Sequence, residues 1–264
     1  LGLISPRHFY IRLYINGEYV GLRHVEESFA RELIEFSNRR YGPIYSIDDT
    51  LSKDIEEVKF DLADRKNWND SVSNQKIVLD SLSILEAFKN DKKYIVFKEY
   101  FNKEQWAQYM ALMDILQTYH GSLVKSVGFY NNPTTGKIEP IFFDGHKDHR
   151  TNIYLLDLLS KDFNLATCSF SNEENSKIKG IDTDESPLCS SNNYYKFIRK
   201  IFGFESGINA AFYESYFNNL KKYSSESFVK DFIKPLWDDL SIERGNLYKE
   251  LSMTDGILNF GNFL

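Results

Sequence analysis

The first clear pattern is a pair of apolar and aromatic runs near the start of the chain. Phe9-Tyr10-Ile11-Arg12-Leu13-Tyr14-Ile15 is rich in strand formers, Asn16-Gly17 follows, and Glu18-Tyr19-Val20-Gly21-Leu22-Arg23-His24 returns. An Asn-Gly pair between two such runs predicts a hairpin, because both turn positions need positive φ. The period then changes. Val25, Phe29, Leu33 and Phe36 recur at helical spacing and predict a helix reaching Arg40. Glu26 and Glu27 would fall in its first turn, where the macrodipole favours acids. Gly42-Pro43 stops that helix, and Ile44 to Ile47 reads as a short strand.

Residues 48–70 are polar and mixed in charge, and read as a loop or inserted element. Helical spacing returns over Val72–Phe88 and more strongly over Lys103–Tyr119. Asn102 with Gln105 three residues on resembles a capping box, and Trp106, Met110, Met113 and Leu116 would line one helix face. Val127–Tyr130 and Lys137–Phe143, joined through Pro133 and Gly136, predict a second hairpin. Pro140 in its return strand predicts an edge or a bulge. Residues 164–195 are rich in Ser, Asn, Glu and Asp and read as a long exposed loop, and from Asn209 onward two or three amphipathic helices are expected.

This order of elements predicts an α+β fold, hairpin-rich in its N-terminal part and mostly helical in its C-terminal part. Three stretches follow: 1–48 with the first hairpin and helix, 49–101 as a connecting or inserted segment, and 102–264 as a helical part containing the 127–143 hairpin. They are read as one continuous domain, a piece of a longer protein, since the chain begins at Leu1 and residues 1–5 form no signal peptide.

Composition narrows the functions. With 264 residues, 42% hydrophobic and 27% charged, the chain is an ordinary globular one that needs no metal or disulfide to fold. A net charge of −6 with no basic stripe argues against a nucleic-acid partner. No apolar run is long enough to span a bilayer. Cys168 and Cys189 lie 21 residues apart in a polar stretch. They fit either one disulfide in an exported protein or two free thiols in the cytoplasm, so the compartment stays open between cell surface, export and cytoplasm.

Several residues could carry chemistry. In Phe142-Phe143-Asp144-Gly145-His146-Lys147-Asp148-His149 an apolar strand ends at an acid followed by glycine. A carboxylate there can hold a divalent cation, and a bare Asp-Gly turn is the plainer reading. His120, past the Lys103–Tyr119 helix, could be a general base, a phosphate contact or a metal ligand, and the plainer reading is a residue complementing the helix C-terminus. His146 and His149 have a spacing open to zinc, but no nearby Cys or further His completes a set. Glu26 could pair with a cationic nucleotide-binding group, and Arg12 and Arg23 could contact phosphate or simply be solvated. The chain has no GxxxxGK[ST], GxGxxG or GxSxG motif, which excludes P-loop, Rossmann and ordinary serine-hydrolase sites.

The order of two blocks carries more than any single residue. Tyr10-Ile11-Arg12-Leu13-Tyr14-Ile15-Asn16-Gly17-Glu18-Tyr19-Val20-Gly21-Leu22, followed by Val25-Glu26-Glu27, resembles the first signature of the CotH family of atypical, kinase-like proteins, named after a bacterial spore-coat protein. The segment from Gly128 to Asp144, Gly-Phe-Tyr-Asn-Asn-Pro-Thr-Thr-Gly-Lys-Ile-Glu-Pro-Ile-Phe-Phe-Asp, resembles its second. The resemblance implies a two-lobe, atypical protein-kinase-like fold with ATP and Mg²⁺ between the lobes and a protein Ser, Thr or Tyr as acceptor. Asp144 would match the metal-binding acid, His120 the catalytic-loop region with Asp114 as a weaker candidate, and Glu26 the acid after the first hairpin. Arg12 and Arg23 would help hold the nucleotide. Ser126 stands where relatives often carry a metal-binding asparagine, Ser46 where they often carry a lysine, and His146 where a second acid is usual.

Two readings follow: a phosphotransferase with Mg²⁺ on Asp144, or a non-catalytic pseudokinase acting as a surface or coat interaction module. A third is a metal-dependent hydrolase using His120, Asp144, His146 and His149.

Overall fold

The structure, a computed structural model, describes residues 1–47, 58–91, 95–116, 118, 127–143, 145, 163–164, 169–170, 201 and 210–255. The chain divides into two compact units that are not consecutive stretches. One comprises Leu1–Ser5 with Phe29–Leu220, the other Pro6–Ser28 with Lys221–Leu264.

The larger unit is built on a four-stranded antiparallel sheet of order β4-β3-β5-β6, where β3 is Ile44–Ile47, β4 Phe60–Leu62, β5 Gly128–Asn132 and β6 Lys137–Ile141. The expected second hairpin is β5–β6, with Phe129 opposite Pro140. Pro140 lies on the edge strand, as a residue without an N–H requires. That edge is closed at either end, by the Phe142 N–H donating to the Ile4 carbonyl at 2.7 Å and the Asn102 N–H donating to the Ile138 carbonyl at 2.9 Å. Gly42 is forced by packing, since a Cβ there would meet the Asn131 carbonyl oxygen at 2.2 Å.

Strand β4 corrects the expectation of a loop over 48–70. Phe60 pairs with Ile47 and packs edge-on against Phe129 at 5.7 Å. A short helix α2, Arg65–Trp68, follows. Here tertiary packing of two aromatic residues outweighs a polar local composition. The first helix also differs from expectation: α1 spans only Arg31–Phe36. Val25 and Glu26 belong to strand β2, paired with Phe9 and His8, because a strand already begun gains a ladder partner at each further residue. Phe36 is 61% exposed rather than on a core face.

Helix α3 runs Val72–Asn90 with the Ser71 hydroxyl capping the Asn74 N–H, and α4 runs Ile95–Tyr100. Helix α5, Lys103–Leu116, is capped by Asn102, whose Oδ1 accepts from the Gln105 N–H at 3.4 Å. Trp106, Met110 and Met113 are buried as expected, but so are Ala107, Tyr109, Ala111, Leu112 and Asp114, while Leu116 is half exposed. A helix apolar nearly all round is a central helix rather than a surface one. Phe88, Phe97 and Phe101 pack around it with Trp106, whose indole N–H donates to the Ile138 carbonyl at 3.1 Å. Helix α6, Ala210–Tyr223, adds Phe212 edge-on to Phe97. A two-residue ladder, β7 Phe163–Asn164 with β8 Ser169–Phe170, falls where the long polar loop was expected to begin; the rest of 164–195, with both cysteines, lies outside the described residues.

The smaller unit contains the first hairpin, β1 His8–Ile15 with β2 Glu18–Glu26. Asn16 and Gly17 both have positive φ, 52° and 85°, as a primed two-residue turn demands. At its base the Arg7 guanidinium forms an ion pair with Glu27, and the Glu27 N–H donates to the Arg7 carbonyl at 3.0 Å. The unit also holds α7 (Glu226–Phe228), a π-helical turn over Val229–Ile233 and α8 (Lys234–Asp255), so the expected C-terminal helices are present. No helix among the described residues is long and apolar enough to cross a membrane.

Candidate active site at the open end of the second hairpin

His120, Ser126 and Asp144 lie outside the described residues, as do His146 and His149. Described residues within two positions of His120, Ser126 and Asp144 come near one another within the larger unit. Gly128, two residues after Ser126, pairs with Ile141, three residues before Asp144. This is the open end of the β5–β6 hairpin. The last described residue before His120 is Thr118, and the residue after Asp144 is Gly145. A Cβ built on Gly145 would lie 3.7 Å from the Thr118 Cβ. The chain just past α5 and the chain leaving β6 therefore run close together, with room for about one methyl group between Gly145 and Thr118.

Each flank is anchored. Beyond α5 the Thr118 N–H donates to the Met113 carbonyl at 2.9 Å, and its hydroxyl reaches the Met113 sulfur at 3.2 Å. On the strand side, the two phenylalanines before Asp144 insert into different packing. Phe142 sits edge-on to Tyr109 of α5 at 5.9 Å. Phe143 sits edge-on to Phe29 at 4.9 Å and packs against a cluster of Ile4, Leu33, Ile34, Ile44, Tyr130 and Ile141. Side chains that alternate across a strand and bury on both sides fix the direction in which the chain leaves it. Gly128 is required here too, because a Cβ would come within 2.9 Å of the Ile141 Cβ and 3.2 Å of the Phe29 ring. Gly145 lies against the Phe142 ring, 3.1 Å from where its own Cβ would be.

Asp114, the weaker catalytic candidate, is 2% exposed, and its Oδ2 accepts from the Tyr216 hydroxyl at 2.9 Å. That bond ties α5 to α6. Ser46 lies on β3 opposite Asp61.

Arg12, Arg23 and Glu26 all lie on the first hairpin, but not on one face. Cross-strand partners share a face, and successive residues alternate. Arg12 pairs with Leu22 and Arg23 with Ile11, so the two guanidiniums start from opposite faces of the ribbon. Arg23 folds back onto its own strand, donating to the Leu22 carbonyl at 2.9 Å and the Val20 carbonyl at 3.2 Å. Glu26 ends β2 rather than opening a helix, on the face that carries Arg12. The two arginines are thus not brought together to converge on one phosphate.

The sequence reading missed a second charged group. Glu139 of β6 is 3% exposed and accepts from Arg39 Nε at 2.6 Å and Asn132 Nδ2 at 2.8 Å. Arg39 also donates to the Ser37 carbonyl at 3.0 Å and the Gly2 carbonyl at 2.7 Å. Arg39 and Glu139 are a hundred residues apart, beyond any local pattern. Among the described residues no three His, Cys, Asp or Glu side chains gather as a metal cluster.

The architecture is that of an α+β protein with an antiparallel sheet against a buried helix. The chain belongs to the CotH family: the family described as CotH kinase protein matches residues 1–249 of 264. No curated protein matches the chain.

Proposed function

We propose that this chain is a CotH-like kinase that transfers phosphate from ATP to a protein Ser, Thr or Tyr hydroxyl. The observation that carries the reading is the close approach of Thr118 and Gly145 beside the Gly128–Ile141 pair. Two peptide links separate Thr118 from His120, one separates Gly145 from Asp144, and two separate Gly128 from Ser126. One link spans about 3.8 Å between Cα atoms and two span at most about 7 Å.

A carboxylate from Asp144 and a hydroxyl from Ser126 are hard oxygen donors, the chemistry Mg²⁺ prefers. Asp144 and Ser126 would be the residues that hold it, and the ion, when bound, would supply neutralisation of the charge that develops on transfer. His120 takes the proton of the acceptor hydroxyl as its oxygen attacks the γ-phosphorus, and ADP leaves with the electrons of the broken P–O bond. The protein's part is positioning and charge stabilisation.

A second reading, a non-catalytic relative that serves as an interaction module, is favoured by Ser46 on β3 in place of a lysine and by the opposed directions of Arg12 and Arg23. Thermal unfolding with ATP, with Mg²⁺ and with both separates the two. Ligand at about 100 times its Kd stabilises a fold by about 2.7 kcal/mol. The kinase reading expects a shift that needs both and is lost in Asp144→Asn. No shift under any condition supports the interaction module.

A further inference from the structure

We propose that His8 and His24 form a chelating pair for a borderline transition-metal ion, Zn²⁺, Cu²⁺ or Ni²⁺, on one face of the first hairpin. His8 pairs with Glu26 and Tyr10 with His24, so the two histidines are diagonal neighbours on the same face. His8 Nδ1 stands 3.1 Å from His24 Nε2. Metal–nitrogen bonds of about 2.05 Å spanning that gap subtend roughly 100° at the ion. That angle falls between the roughly 90° of tetragonal and the roughly 109° of tetrahedral coordination.

The surroundings suit a ligand pair. The rings lie within 14° of parallel with centroids 5.1 Å apart, and the Tyr10 ring leans on His24 at 5.4 Å. Glu26 Oε1 lies 3.8 Å from His8 Nε2, the nitrogen that faces away from His24. That separation is longer than a hydrogen bond, but it puts a negative charge beside the pair, which favours a bound cation. The His8 side chain is 48% exposed and that of Glu26 37%, so water can complete the coordination and the rings can turn to aim both lone pairs at the ion. The Arg7–Glu27 pair lies at the hairpin base, and Arg12 lies further along the same face. Two imidazoles select nitrogen-seeking ions over Mg²⁺, so this site is independent of the one proposed at Asp144.

Calorimetric titration of the chain with ZnCl₂ and NiCl₂, in a buffer containing Mg²⁺, tests the proposal. One saturable site per chain is expected, weakened at least tenfold in His8→Ala and in His24→Ala and retained in a His120→Ala/His146→Ala/His149→Ala variant. Ni²⁺ should broaden the ring resonances of His8, His24 and Tyr10 before those of other aromatic residues. Absence of binding, or binding that survives both hairpin substitutions and vanishes with the other three histidines, overturns it.

Discussion

Arg39 Nε donates to Glu139 Oε2 at 2.6 Å across a hundred residues of chain, with the Arg39 and Glu139 side chains only 15% and 4% exposed. The pair joins the segment after α1 to the edge strand that leads to Asp144. Its hydrogen bonds offset the desolvation of both charges, and removal of one partner leaves the other's charge buried without its counterion. Arg39→Ala or Glu139→Ala should cost about 3–5 kcal/mol in chemical denaturation. Replacing both together should cost less than the sum, which a double-mutant cycle reads directly.

Tyr216→Phe removes one donor from a carboxylate that is almost wholly buried. The expected loss is about 1–3 kcal/mol of stability. ATP affinity should be unchanged, because Asp114 then serves packing of α5 against α6 and not the reaction.

Gly145→Ala tests the geometry at the candidate site. The added methyl would meet the Phe142 ring at 3.1 and 3.3 Å, so the ring or the exit strand must give. Stability should fall by about 1 kcal/mol, at the low end for overpacking. Phosphate transfer should fall about tenfold or more, since small displacements of positioned groups are costly to rate. Equal activity of variant and parent would separate this contact from the chemistry.

Glu27 gives a pH dependence. Hydrogen bonds and charge from Arg7 hold its carboxyl below the ordinary value of 4.5. A group with a depressed folded pKa contributes stability above its unfolded pKa and loses it as pH falls through the folded one. Glu27→Gln should therefore cost about 1 kcal/mol at pH 7, the scale of a partly exposed ion pair. The difference from the parent should shrink below about pH 5 and vanish in stronger acid. A gap that stays constant to pH 3 would contradict the assignment.

Much of the fold could be read from local pattern. Asn16-Gly17 marks its turn because backbone sterics leave few residues able to adopt it, and Lys103–Leu116 declares its helix through spacing and an asparagine cap. Strand β4 and the short α1 could not be read, because both depend on partners distant in sequence. Phe60 gains its place from Phe129, and Val25 gains its strand from Phe9. For the candidate site, Asp144 and His120 stand out as chemistry, while the approach of the chain on their near sides rests on Thr118 and Gly145, which carry none. The opposed faces of Arg12 and Arg23 follow from a register that the turn alone does not determine, since a bulge lies between the turn and both arginines.

The central claim is that Asp144 holds the metal of a phosphotransfer site. Its most direct test is transfer of the γ-phosphoryl group of ATP to the chain itself and to a mixture of Ser-, Thr- and Tyr-containing peptides, with and without Mg²⁺, for the parent and Asp144→Asn. The account predicts Mg²⁺-dependent transfer that falls at least a hundredfold, about 2.7 kcal/mol, in a variant that unfolds at the parent's temperature. Transfer undiminished in Asp144→Asn, or none in the parent under any condition, would contradict it.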